Sequence, residues 1–153
     1  MRVRLIHRVL PLVVAAFAGA GVATAATATH ASGGTVRAVD NSTYGKVLVA
    51  ANGKTLYRYT LDRKGKSVCS GACAAYWPPL LTNGKSIAIK GAKPSLLGSI
   101  RRADGSRQVS YAGHPLYFFS GDTRRGQTNG EGLQDFGAGW YALTPSGKKI
   151  DRS

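Results

Sequence analysis

Two aspartates, two cysteines and one histidine are the residues of this chain whose type and spacing could do chemistry. Asp62 closes the stretch Leu56-Tyr57-Arg58-Tyr59-Thr60-Leu61-Asp62. Asp122 closes its echo, Leu116-Tyr117-Phe118-Phe119-Ser120-Gly121-Asp122. Two carboxylates in equivalent places could meet across a pseudo-twofold axis, for acid–base work or to hold a cation. Cys69 and Cys73, with His114, have the ligand types of a Cu(I) or thiol-redox site. The aromatics Tyr57, Tyr59, Tyr76, Trp77, Tyr117, Phe119, Trp140 and Tyr141 could line a groove for a sugar or a planar cofactor.

Each of these has a simpler structural reading. An aspartate where a strand ends accepts backbone N–H bonds and caps the turn. Arg63 and Lys64 follow Asp62, and Arg124 and Arg125 follow Asp122; such cations pair with a carboxylate and oppose a bound metal. Cysteines of an exported chain form a disulfide, here across a very small loop. The only Met is Met1, and Cys-x-x-Cys and the haem signature Cys-x-x-Cys-His are both missing. Aromatics at alternate positions are ordinarily core, and Trp77 and Trp140 are read as structural. No Gly-x-Ser-x-Gly, metal-binding His-Glu helix or phosphate loop is present. The reading is therefore a chain with no catalytic residues, no metal and no cofactor, with copper on Cys69, Cys73 and His114 as the alternative.

The elements that must position these residues are short strands. Lys46–Ala50 and Thr55–Leu61 flank Asn52-Gly53, and Arg107-Gln108-Val109-Ser110-Tyr111 follows Asp104-Gly105; both dipeptides tolerate positive φ and mark hairpins. Leu116–Ser120 is read as the returning strand of the second copy and Trp140–Leu143 as its last. On alternation, Tyr57, Tyr59 and Leu61 share the core face, and Leu56, Arg58 and Thr60 the other; Tyr117 and Phe119 repeat that face. A helical turn is expected over Ala72–Tyr76, ended by Pro78-Pro79. Helical periodicity is sustained nowhere else after the N-terminal segment. The fold class is all-β: mainly antiparallel short strands and hairpins, in two related units that pack as one small domain because either alone buries too little surface.

Composition and charge set the setting. The chain has 153 residues and a formal charge of +14. Arg2, Arg4 and Arg8 precede an apolar run from Val9 to Gly21, followed by small-residue Ala-x-Ala sites. That is the layout of a secretory signal peptide, placed at 1–25; an uncleaved anchor is the rival reading. A flexible leader is expected over 26–34, then the duplicated β-domain over 35–153, with repeat 1 at about 35–92 and repeat 2 at about 103–148. Loss of Arg2, Arg4 and Arg8 leaves +11. A secreted, basic protein is drawn to anionic cell-wall or membrane-surface polymers. A solvated basic surface without a partner is the plainer option. No helix-turn-helix, zinc-finger or basic-zipper pattern supports specific nucleic-acid readout. No cysteine lies near the cleavage region, so no lipid anchor is expected and the product is released. The oligomeric state stays open.

The motif Tyr57-x-Tyr59-x-x-Asp62, repeated as Tyr117-x-Phe119-x-x-Asp122, resembles that of a bacterial secreted-repeat, or predicted lipoprotein, family of unknown function. Cys69-x-Gly71-x-Cys73, Trp77-Pro78-Pro79, Gly113-His114-Pro115-Leu116-Tyr117 and Gly137-Ala138-Gly139-Trp140 are similar to the family's companion stretches. The resemblance implies an exported domain and no particular reaction. This chain departs from many members in having no lipid-acceptor cysteine.

Overall fold

The computed structural model describes residues 34–150. The expected signal peptide, the expected leader up to residue 33 and the last three residues lie outside that range. Gly34 is buried, and its N–H lies 3.3 Å from Thr82 Oγ1 as donor.

Strand β1 (Thr35–Asn41) turns through Asn41, whose Oδ1 accepts the N–H groups of Thr43 and Tyr44, and returns antiparallel as β2 (Gly45–Ala50). The Asn52-Gly53 turn follows as expected: Asn52 Oδ1 accepts the Lys54 N–H, and Gly53 takes φ 80°. It leads to β3 (Tyr57–Tyr59). Helix α1 (Ala72–Tyr76) coincides with the expected helical turn, and the Cys69–Cys73 disulfide fastens its start. Strand β4 (Ile87–Ile89) lies parallel to β1. A 3-10 turn over Pro94–Leu96 enters β5 (Leu97–Arg101), which pairs antiparallel with β6 (Arg107–Tyr111) across the Asp104-Gly105 turn. The short strands β7 (His114–Pro115), β8 (Gln134–Asp135) and β9 (Ala138–Ala142) complete the set. The domain is mainly antiparallel all-β.

Two of the strand readings need correction. Leu116–Ser120 is not a regular strand: β7 stops at Pro115, and Tyr117 bridges singly to Tyr57 on one side and Pro79 on the other. Proline offers no N–H, so the segment opposite it can form only half a ladder; Phe118 and Leu80 supply the remaining bonds, to Pro78 O and Leu116 O. The face assignment around β3 is also incomplete. Tyr57 and Tyr59 are buried, but Leu61 is 54% exposed because the chain has already turned at Thr60, while Leu56 is fully buried. Leu56 belongs to a second core, with Leu48, Leu80, Val109, Leu116 and Leu143, on the side opposite the motif aromatics. The first core holds Tyr57, Tyr59, Trp77, Tyr117, Phe119, Trp140 and the disulfide.

Candidate functional site: the crossed tyrosine–aspartate centre and its outer face

The two copies meet along an approximate twofold axis between Tyr57 and Tyr117. The Tyr57 N–H donates to Tyr117 O at 2.9 Å, and the Tyr117 N–H donates to Tyr57 O at 3.0 Å. Other hydrogen bonds repeat under the same operation. The Thr60 N–H reaches Gly139 O as the Ser120 N–H reaches Tyr76 O; the Leu48 N–H reaches Leu143 O as the Val109 N–H reaches Leu80 O. Four strand-like segments thus lie side by side in the order Trp140–Ala142, Tyr57–Tyr59, Tyr117–Phe119, Trp77–Pro79.

The motif side chains are exchanged across the axis. Tyr57 OH donates to Asp122 Oδ2, and Tyr117 OH donates to Asp62 Oδ2, both at 2.6 Å. Each aspartate therefore serves the tyrosine of the other copy. Each also caps its own loop: Asp62 Oδ1 accepts the Val68 N–H at 2.7 Å, and Asp122 Oδ1 accepts the Asn129 N–H at 2.9 Å. The cap reading describes one oxygen of each carboxylate, and the phenol of the opposite copy takes the other. The two carboxylates are not paired with each other.

The electrostatics follow from burial. Desolvation raises the pKa of both aspartates above the usual carboxylate range. The tyrosine hydrogen bonds and the capping N–H groups oppose that rise, with help from Arg102 and Arg58 at Asp62 and from Lys54 at Asp122. Burial, then the carboxylate beside each phenol, pushes Tyr57 and Tyr117 well above the ordinary tyrosine value. A phenol held on a buried carboxylate is a tie between two halves of a core.

The aromatics form a column over this centre. Trp77 and Trp140 stack 3.9 Å apart with planes 5° from parallel, and Tyr59 stacks on Trp140 at 4.2 Å. Phe119 covers the other face of the column, 4.5 Å from Trp77. Gly130 must be small here, since a Cβ would come 2.8 Å from the Trp77 ring and 3.0 Å from Tyr57. The motif aromatics fill a core; Tyr76 remains half exposed at its edge, packed on Phe119.

Cys69 and Cys73 are bonded to each other, so neither sulfur is free as a thiolate. No cluster of three His, Cys, Asp or Glu suited to a metal occurs among the described residues. His114 lies on β7, with Arg58 and Lys64 as the charged groups acting on it.

Sequence reasoning missed two features. Arg102 is buried: its guanidinium donates to Gln108 Oε1 (2.6 Å), Cys69 O (2.7 Å) and Ser67 Oγ (3.0 Å), and Ser67 Oγ lies 2.7 Å from Tyr117 OH. The other is the asymmetry at Arg58: alternation places it on the strand's outer face, where it lies between the two buried tyrosines of β3, but its place in the second copy is taken by Phe118. The contrast between Arg58 and its counterpart Phe118 was visible in the aligned motifs.

A duplicated small β-domain with a disulfide in its first half and a shared polar centre is the class defined by these elements. A family described as a secreted repeat of unknown function matches residues 38–81 and again 98–144, and the chain belongs to it. Each match contributes one inner and one outer segment of the four, on opposite sides of the pseudo-twofold axis. No curated protein and no solved structure matches the chain.

Proposed function

We propose that the domain is a non-enzymatic exported module, released after signal cleavage without a lipid anchor, that engages anionic polymers of the cell wall or membrane surface by charge. The observation that carries this reading is how the charges are distributed. The chain holds 21 Lys and Arg against 7 Asp and Glu. Two of those acids, Asp62 and Asp122, are held inside on tyrosines, against one buried cation, Arg102. Arg63, Lys64, Lys66, Lys85, Lys90 and Arg107 all stand exposed. The surface is left more cationic than the composition alone suggests, and such a field attracts polyanions. The family's description as secreted supports an envelope or extracellular setting. That both motif carboxylates are engaged by buried phenols supports a structural use of the motif.

The test is co-sedimentation of the mature protein with purified cell wall and with anionic vesicles across a salt series. Retention that falls steeply between low and high salt is expected, because exposed charges are screened within about 10 Å at 0.1 M salt. Retention that ignores salt, or none at low salt, removes the proposal. The mass of the secreted product checks cleavage and the absence of a lipid.

A further inference from the structure

The twofold relation separates what the duplication shares from what it does not. Shared are the phenol–carboxylate ties, the aromatic column and the backbone bonds between segments, which make the fold. The outer faces differ. In the second copy the outward residue of the central segment is Phe118, opposite Pro78. Phe118 joins Leu80, Leu81 and Pro79 along an apolar cavity of about 330 Å³. In the first copy the same place is Arg58, opposite Tyr141, over whose ring Lys149 Nζ sits at 4.3 Å.

Around Arg58 the fold gathers further nitrogen donors. The turn Arg63–Lys66 is fastened to the second copy by the Gly65 N–H, which donates to Gly113 O at 2.9 Å. That bond sets Lys64 against Gly113 and beside His114; a Cβ on Gly113 would touch Lys64 Cγ at 3.4 Å. Arg58 Nε and His114 Nδ1 are both shut off from solvent and have no hydrogen-bond partner among the described residues. Burial, then Arg58 and Lys64, lowers the pKa of His114, so two cations act on the imidazole here. The negative charge acting on Arg58 is the buried carboxylate of Asp62, already bound to Tyr117. Like-charged groups held together fit an anion. An arginine fork beside an imidazole and an ammonium suits phosphate oxygens.

We propose that the outer face of β3 in the first copy is a phosphate-binding site, in which Arg58, His114 and Lys64 contact the phosphate of a phosphodiester-linked envelope polymer. This rests on the polyanion reading above and gives it a place. The second copy supplies a built-in control. Its corresponding turn is fastened in the same way, by the Gly126 N–H donating to Gly53 O, and Arg125 there packs against Gly53 as Lys64 does against Gly113.

The experiment measures binding of poly(glycerol phosphate) and of inorganic phosphate to the mature protein and to the folded variants Arg58→Gln, Lys64→Gln and Arg125→Gln. Lys64 is exposed, so its variant keeps the test open should Arg58→Gln fail to fold. For the polymer, Arg58→Gln or Lys64→Gln is expected to weaken affinity about tenfold, the scale of one charge-assisted hydrogen bond, and Arg125→Gln less than about twofold. The imidazole resonances of His114 should move with the polymer, and its titration midpoint should rise on binding. Equal losses from all three variants overturn the site while leaving charge-driven binding intact. No binding by the wild-type protein overturns both. Binding of inorganic phosphate without the polymer assigns the site to the free anion and overturns the polymer as its ligand.

Discussion

The exchanged phenol–carboxylate ties can be tested by a crossed pair of double-mutant cycles. Tyr117→Phe removes the hydroxyl that donates to Asp62 Oδ2 and leaves that carboxylate, 6% exposed, with the Val68 N–H and the distant charges of Arg102 and Arg58. A hydrogen bond to a charged group contributes about 1.5–3 kcal/mol, so the single substitution should lower the urea midpoint by roughly 1 M at an m-value of about 2 kcal/mol/M. The coupling is the sharper quantity. Combining Tyr117→Phe with Asp62→Asn should give an interaction energy of about 1–3 kcal/mol, and with Asp122→Asn one near zero, about 0.5 kcal/mol or less. Tyr57→Phe should show the reverse preference. The tyrosine bond also holds the pKa of Asp62 down against burial, so its removal lets that pKa rise further. The loss from Tyr117→Phe should therefore be larger at pH 7, where the carboxylate is ionised, than near pH 4. Coupling of Tyr117 to Asp122, or of Tyr57 to Asp62, would refute the exchange. An m-value that changes with the variants would show that the comparison is not two-state.

Further expectations concern pH, packing and the disulfide. The folded pKa values of Asp62 and Asp122 lie above the ordinary 3.8, so the folded state holds these protons more tightly. Their contribution to stability is fully present below that value and is lost as pH rises through the raised ones. Urea midpoints from pH 3 to 7 in wild type and Asp122→Asn measure this, and the wild type should show the steeper fall. Tyr57 and Tyr117 are also raised, so their contribution holds below about pH 10 and fades above it; tyrosinate absorbance should show them ionising only as the chain unfolds. Gly130→Ala drives a methyl into Trp77 and Tyr57 and should cost about 1–3 kcal/mol in a thermal or urea melt; an unchanged midpoint would contradict the packing of the column. Loss of the disulfide through Cys73→Ser should cost about 2 kcal/mol, since a loop with sequence separation 4 restricts the unfolded chain little. Intact mass after alkylation without reductant should show no adduct on the wild type.

Local chemistry was legible in the sequence, and its long-range use was not. Asn52-Gly53 and Asp104-Gly105 announce their turns because few residues accept positive φ, and Ala72–Tyr76 announces its helix by small residues ahead of a proline pair. Tyr57 with Tyr59, and Tyr117 with Phe119, announce the core by alternation. Alternation cannot say that β3 is buried on both sides at Leu56, because that depends on the second core formed by distant leucines. Nor does Asp62 carry any sign that its phenol partner is 55 residues away rather than within its own motif. Arg102 gave no sign of its burial, because its acceptors, Cys69 O and Gln108 Oε1, come from separate elements. The Arg58 face needed only a comparison of the two copies at their outward positions, a signal present in the sequence and left unused.

The exchange of hydrogen bonds also bears on how such a chain could arise. A polypeptide with a single copy would carry a donor phenol and an acceptor carboxylate that cannot satisfy each other in this geometry. It would find both partners in a second molecule of itself, through an isologous contact whose two bonds are the same bond seen twice. Gene fusion of such a dimer would yield the present arrangement without moving a side chain, and would make the effective concentration of the second half independent of how dilute the secreted protein becomes. Once joined, the halves are free to differ on their outer faces, because the contact that holds them together no longer has to be made by identical molecules.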